Sequence, residues 1–407
     1  MDMTIPPARW DEFDGLAALA RILGAEQGDA RVVGGAVRDT LLGVPVADVD
    51  LATRHEPEAV MRLLGEAGIK AVPTGLAHGT VTAVLDGGRP VEVTTLRRDL
   101  STDGRHAIVG FTSDWREDAA RRDFTMNALY ADPVTGAVTD FFGGLSDLAD
   151  RRVRFIGDPL QRIAEDHLRI LRFFRFHARF GDAVDPEGLE ACTARTRDLM
   201  ALSRERIAGE LLKLLVTASA VPVTKLMVER GILLPVIPEI DLDGAQRLAR
   251  LAAAESAADV AADSIRRLAA LLPAEAAESV GARLKLSNAD RKRLQAATGG
   301  PGDEGPLALA YRVGITSAVD RLLLAAEDPA PLIGWDVPRL PLSGGALVSR
   351  GINKGPAVAT ALKEVERRWI AEGFPPSPRV NQIADAVAAE VREANNVSAS
   401  EASSGRA

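Results

Sequence analysis

Asp48 and Asp50 are separated by a single residue in the run "VADVDLAT". If that run is a strand, side chains at i and i+2 share a face, so the two carboxylates project together with Val49 turned the other way. Paired carboxylates repel unless a cation lies between them. Mg²⁺ accepts one or two such ligands and completes its octahedron with water and substrate phosphates. Just upstream, "RVVGGAVRDTLLG" offers the matching half of such a site. Gly34 and Gly35 let backbone amides approach an anion, a helix opening near Ala36 adds its positive N-terminal end, and Arg38 supplies a forked donor. Taken alone, the same residues also describe a tight turn with Arg38 and Asp39 on the solvent side.

Two further clusters add weight. "RRDFTMNALY", residues 121–130, sets Arg121, Arg122 and Asp123 before an apolar segment whose Thr125 and Asn127 could organise a polar site. "EDHLRILRFFRFHARF", residues 165–180, spaces Asp166, Arg169, Arg172, Arg175 and Arg179 by three, three, three and four. On one continuous helix these share a side, while Leu168, Leu171 and Phe174 cover the other. Residues 151–180 hold eight Arg against three acids, a local excess of +5 in a chain of net charge −8.

The elements that must position these groups change character along the chain. Up to about residue 150, "ARVVGG", "VADVDLAT", "HGTVTAVL" and "PVEVTTL" read as strands, and "AVRDTLLG" and "EPEAVMRLLGEAG" as helices. "DGGRP" reads as a hairpin turn, so the unit is α+β with an antiparallel element and not a strict βαβ series. Residues 97–115 show no clean period and are expected to be a mobile loop. From about residue 155 nearly everything reads helical, including a continuous amphipathic stretch over 241–272. The 407 residues suffice for two to four domains of about 100–200 residues. With 46% apolar and 26% charged residues, no run near the roughly 18 apolar residues of a membrane span, and a start lacking the parts of a signal peptide, we expect a cytoplasmic protein with no membrane partner. One cysteine, Cys192, excludes a disulfide framework and a Cys-cluster zinc site, and all five histidines fall before residue 180.

Taken together, "VVGGAVRDTLLGVPVADVDLAT", "RRDFTMNAL" and "EDHLRILRFFRF" resemble successive motifs of the class II CCA tRNA nucleotidyltransferase and bacterial poly(A) polymerase family. The resemblance covers roughly residues 30–215. It implies an α+β nucleotidyltransferase head related to DNA polymerase β, followed by an all-helical neck, body and tail. On that reading the catalytic head is 28–150, the neck with base recognition 151–220, the tRNA-binding body and tail 221–395, and a disordered tail 396–407. Asp48 and Asp50 are then the catalytic, Mg²⁺-binding carboxylates. Gly35, Arg38 and Arg122 resemble triphosphate contacts, and Asp166 and Arg169 the pair that reads the incoming base, with Arg172 and Arg175 extending the nucleotide site. The implied activity is untemplated addition of CMP and AMP from CTP and ATP to the 3′ end of tRNA, with no DNA partner. The alternatives are a poly(A) polymerase or A-adding enzyme of the same fold, or a non-catalytic RNA-binding relative.

Cytosine and adenine both present an exocyclic amine where uracil and guanine present a carbonyl, so an Asp acceptor there welcomes the first two. Arg169 could donate to the ring nitrogen beside that amine. Glu92 is a candidate third acid. The 97–115 segment, with His106 as a polar loop residue, is expected to help switch between C and A addition, and Glu205, Arg206 and Glu210 in "LSRERIAGELLKLL" are read as structural or RNA-adjacent.

Overall fold

The computed structural model describes residues 3–5, 10, 13–102, 107–353 and 355–404. It divides into two compact units, Met1–Ala245 with Arg283–Leu286, and Gln246–Ala282 with Ser287–Ala407. The first unit opens with α1 (Leu16–Ile22) and a seven-stranded mixed sheet. Its strands are β1 (Ala30–Val33), β2 (Asp50–Thr53), β3 (Lys70–Gly75), β4 (Thr80–Val84) and β5 (Pro90–Thr95), then, after a separate ribbon of β6 (Arg97–Thr102) and β7 (Ala107–Phe111), β8 (Leu129–Ala131) and β9 (Val138–Asp140). The sheet order is β3-β4-β5-β2-β1-β8-β9, with β2 and β5 parallel and the other neighbours antiparallel. Helices α2 (Gly35–Leu41), α3 (Pro57–Glu66), α4 (Trp115–Ala120) and α5 (Gly144–Ala149) complete the head, and α6 (Pro159–Glu165), α7 (Arg169–Phe180), α8 (Pro186–Ala194), α9 (Arg204–Leu215) and α10 (Ala220–Glu229) follow it.

Local sequence explains most boundaries. Asp158-Pro159 and Asp185-Pro186 start α6 and α8 alike: proline fills the first helical position, and the Asp carboxylate accepts from Leu160 N at 2.9 Å and Gly188 N at 2.9 Å. An aromatic cluster locks α7 to the segment after Arg122, with ring centroids 4.9 Å apart for Phe124 and Phe155, 5.5 Å for Phe155 and Phe173, and 5.3 Å for Phe124 and Phe176.

Several expectations need correction. Within the expected loop 97–115, Arg97–Thr102 and Ala107–Phe111 pair as a β-ribbon, whose cross-strand pairing leaves no simple hydrophobic period in the sequence; His106 lies outside the described residues. Only the second half of "VADVDLAT" is strand, since β2 begins at Asp50. The amphipathic run 241–272 is two helices, α11 (Leu242–Ala257) and α12 (Ser264–Leu271). Asp259 adopts φ +51°, and Asp263 caps α12 by accepting from Ile265 N at 2.9 Å and Arg266 N at 3.0 Å. The stretch from 396, expected as a disordered tail, continues the helix Ser377–Ser404, in keeping with its Ala- and Glu-containing sequence.

The second unit is helical and carries its own apolar clusters, one built around Trp369, Val365, Val380 and Val387. It also buries charge. Asp320 is fully buried and accepts from Arg266 Nε at 2.9 Å and from Arg293 Nε at 2.8 Å. Removing one partner of such a set strands the others in low dielectric. Asp320→Ala should therefore lower unfolding stability by about 3–5 kcal/mol in a denaturant titration; a change below 1 kcal/mol would show the network to be dispensable. No helix among the described residues is long and apolar enough to cross a membrane.

Candidate nucleotide site

β1 ends at Val33, which lies opposite Asp50 in the antiparallel register, so the glycine turn and the carboxylates meet at one end of the sheet. Gly34 is the residue whose conformation requires glycine: φ +70°, ψ −119°. A Cβ there would come within 3.4 Å of Arg122 Nη1 and 3.5 Å of the Asn127 carbonyl. Gly35 opens α2 with no such constraint.

The turn, β2 and α7 face a cleft of about 550 Å³. It brings together Gly35, Arg38, Asp50, Arg122, Asp166, Arg169, Arg172 and Arg175. Asp48 lies just outside the lining, exposed, and close enough to act on Asp50. Arg97 and Phe176 also line it without having been foreseen as site groups, and so do Arg121 and Asp123, which the sequence marked as part of the 121–130 cluster without a role of their own. Asn127 also lines the cleft, whereas Thr125 turns away and donates to buried Asp147 at 2.6 Å.

Each arginine is held from behind by an acceptor. Arg38 donates through Nε to Asp39 at 2.8 Å and through Nη1 to Asn127 Oδ1 at 2.5 Å. Asn127 donates to Asp123 at 2.9 Å, and the other Asp123 oxygen takes Arg172 Nε at 2.7 Å and Nη2 at 2.5 Å. Arg175 donates to Glu210 at 2.5 Å. Arg169, nearly buried, donates to Glu165 at 2.7 Å and to the carbonyl of Arg121 at 2.8 Å. Arg179 departs from the expected row, pairing with Asp39 at 3.6 Å and lining a separate cavity.

Asp166 is not on the helix that carries Arg169. It occupies an extended break between α6 and α7 (φ −147°, ψ 105°) and accepts from Leu168 N at 3.1 Å. An aspartate two residues before the N-cap Leu168 competes for backbone donors, which ends α6 and begins α7 anew. Arg206 grips both its oxygens, at 3.0 and 2.9 Å. Arg206 and Glu210 thus support the cleft from α9, while Glu205 pairs with Lys285 at 2.8 Å. The only sequence hint was their i, i+4 spacing.

Burial, then Glu92 and Asp48, push the Asp50 carboxyl up to about 6 against the pull of Arg122. Glu92 is the direct register partner of Asp50 on the parallel neighbour β5. No group of three or more His, Cys, Asp or Glu among the described residues could hold a metal alone. The donor set is instead open and all-oxygen, with carboxylates whose crowding a cation relieves; it fits a hard divalent ion that shares its coordination with substrate phosphates.

The chain matches the family models described as "Poly A polymerase head domain" over residues 30–154 and "Probable RNA and SrmB- binding site of polymerase A" over 183–243. A zebrafish (Danio rerio) protein named CCA tRNA nucleotidyltransferase 1, mitochondrial, is 36% identical over 384 residues, 88% of this chain and 86% of that one. The chain belongs to the CCA tRNA nucleotidyltransferase and poly(A) polymerase family. The mouse (Mus musculus) member of the same name is 34% identical over 384 residues, 89% of this chain and 87% of its own. Among solved structures of the family, the Bacillus stearothermophilus CCA-adding enzyme in complex with CTP aligns with TM-score 0.75 and 28% identity, covering 96% of this chain and 99% of that one. The α+β head and helical remainder are those of the family's nucleotidyltransferase fold, which implies use of a divalent metal.

A carboxyl raised from 3.8 to about 6 is protonated in the folded protein over a range where it is charged when unfolded. Metal-free protein should thus lose stability as pH rises through that range, and a bound cation should restore it. Melting with and without millimolar MgCl₂ or MnCl₂ should show a rise in Tm at pH 7.5 that disappears at pH 5. An equal rise at both values would remove Asp50 from the metal site.

Proposed function

We propose that this protein adds CMP and AMP from CTP and ATP, without a template, to the 3′ end of tRNA, releasing pyrophosphate. The observation that carries the reading is that one cleft brings Asp50, Arg38 and Arg122 together with Asp166 and Arg169. A ligand that meets both groups is anionic where it meets the first and carries a hydrogen-bonding edge where it meets the second, as a nucleoside triphosphate does. Family membership and the relatives' names supply the acceptor, tRNA.

Asp48 and Asp50 would hold Mg²⁺, the ion best suited to few carboxylates and many phosphate oxygens. When bound, such ions supply charge that acidifies the acceptor 3′-hydroxyl and stabilises the departing pyrophosphate. The amides after Gly34, with Arg38 and Arg122, would bind and orient the triphosphate so that its α-phosphorus faces the hydroxyl. Asp166 would accept from the exocyclic amine of C or A, and Arg169 would donate to the neighbouring ring nitrogen. Arg206, by gripping Asp166, sets the angle of that acceptor. Discrimination of this type is large, because a wrong base leaves buried polar groups unpaired. Arg172 and Arg175 would flank the same nucleotide. The zebrafish and mouse relatives are named mitochondrial, and the reading holds for a mitochondrial or a cytoplasmic protein.

A tRNA lacking its 3′ CCA should accept label from CTP alone, and a tRNA ending in CC should accept it from ATP alone. ATP incorporation with no CTP incorporation would favour the poly(A) or A-adding reading, which the head-domain match also accommodates. Asp48→Ala and Asp50→Ala should each cut incorporation by about 10²- to 10³-fold or more while tRNA binding persists, the scale of losing transition-state charge stabilisation. Unchanged incorporation would refute the carboxylate assignment.

A further inference from the structure

Asp118, on α4, lies outside the nucleotide cleft, is 1% exposed, and collects donors from four residues. One oxygen accepts from Arg121 Nε at 2.8 Å, Arg121 Nη2 at 2.8 Å and the backbone N–H of Arg97 at 3.2 Å. The other accepts from Arg122 Nη2 at 3.1 Å and from the Tyr130 hydroxyl at 2.6 Å. Tyr130 in turn receives Arg122 Nε at 3.3 Å.

The two arginines it joins both line the cleft and lead to different groups of it. Arg122 faces the glycine turn, its Nη1 within van der Waals reach of the Gly34 Cα substituent position. Arg121 offers its backbone carbonyl to Arg169 Nη2 at 2.8 Å. Adjacent guanidiniums repel, and only an acid between them fixes both directions at once. We infer that Asp118 is a positioning residue that couples the phosphate-binding end of the cleft to its base-reading end, so that triphosphate affinity and base choice fail together when its charge is removed.

The arrangement is suited to that task. Burial pushes the carboxyl up, but Arg122, Arg121 and the Tyr130 hydroxyl more than offset it and hold it at about 2, so the anchor stays charged at any working pH. Its position on the buried face of α4, and not on a substrate-facing loop, keeps it from competing with phosphate for the arginines' outward donors. The inference rests on the proposed reading of the cleft.

The test begins with unaltered protein, whose incorporation of CMP and AMP must first be shown; without it the functional reading fails and the coupling is not at issue. Asp118→Asn is then compared in steady state with CTP and UTP on a tRNA lacking CCA. The KM for CTP should rise about tenfold, the scale of one charge-assisted hydrogen bond, and the UTP-to-CTP ratio of kcat/KM should rise about as much, with kcat for CTP nearly retained. A merely structural role would lower the active fraction, so a fall in kcat with unchanged KM and unchanged base ratio would overturn the inference. Tyr130→Phe removes both a donor to Asp118 and the acceptor of Arg122 Nε, and serves if Asp118→Asn does not fold. It should raise KM for CTP and the UTP-to-CTP ratio of kcat/KM together, severalfold, whereas a change in one without the other would contradict the coupling.

Discussion

A row of guanidiniums facing one cleft is unstable by itself, because like charges held at low dielectric repel and each long side chain has many rotamers to lose. The constraint from which the rest of this site follows is that every one of them is tied to an acceptor behind it. Asp123 is central: one oxygen takes Arg172 from α7 and the other reaches Arg38 on α2 through Asn127. That chain of hydrogen bonds crosses from α2 of the head to α7, the first long helix after it. With Asp39, Glu165, Glu210 and the Asp166–Arg206 pair, it leaves the outward donors preset for a ligand. Preset donors need no reorganisation when charge arrives, which is where enzymes of this chemistry gain most.

The same constraint explains why the helical segment after residue 155 cannot be separated from catalysis. Arg169, Arg172 and Arg175 are useful only if α7 is fixed against the head, and the Phe124, Phe155, Phe173 and Phe176 rings fix it with apolar contact that tolerates no slip of register. Asp166, in contrast, is fixed by polar contact alone. Its extended backbone breaks the helix and turns the carboxylate toward Arg206, so its orientation is set by α9 and not by the helix that follows it.

Most of the residues that the cleft brings together were legible from the sequence, because a triphosphate, a metal and a base edge would each demand recognisable side chains at short spacing. Strands with regular alternation, such as β4 and β5, were legible for the same local reason. What could not be read was long-range. β6 and β7 pair across strands, β2 shortens because the chain reaches the sheet only at Asp50, and Asp166 leaves the helical row because a capping carboxylate outweighs a favourable i, i+3 pattern. Asp118, Arg206 and Glu210 act through other side chains 3 to 40 residues away in sequence; the i, i+4 spacing of Arg206 and Glu210 hinted at a shared helix face, but spacing does not name the distant partners.

The central claim is that the protein itself, with no nucleic-acid template, distinguishes bases in this cleft. Equilibrium binding of CTP, ATP, UTP and GTP to the protein in the absence of RNA tests it most directly. The account predicts that CTP and ATP bind at least about tenfold tighter than UTP and GTP, and that Asp166→Ala erases the difference while leaving a common residual affinity from the triphosphate contacts. Equal binding of all four nucleotides by the unaltered protein, or selectivity that survives Asp166→Ala, would contradict it.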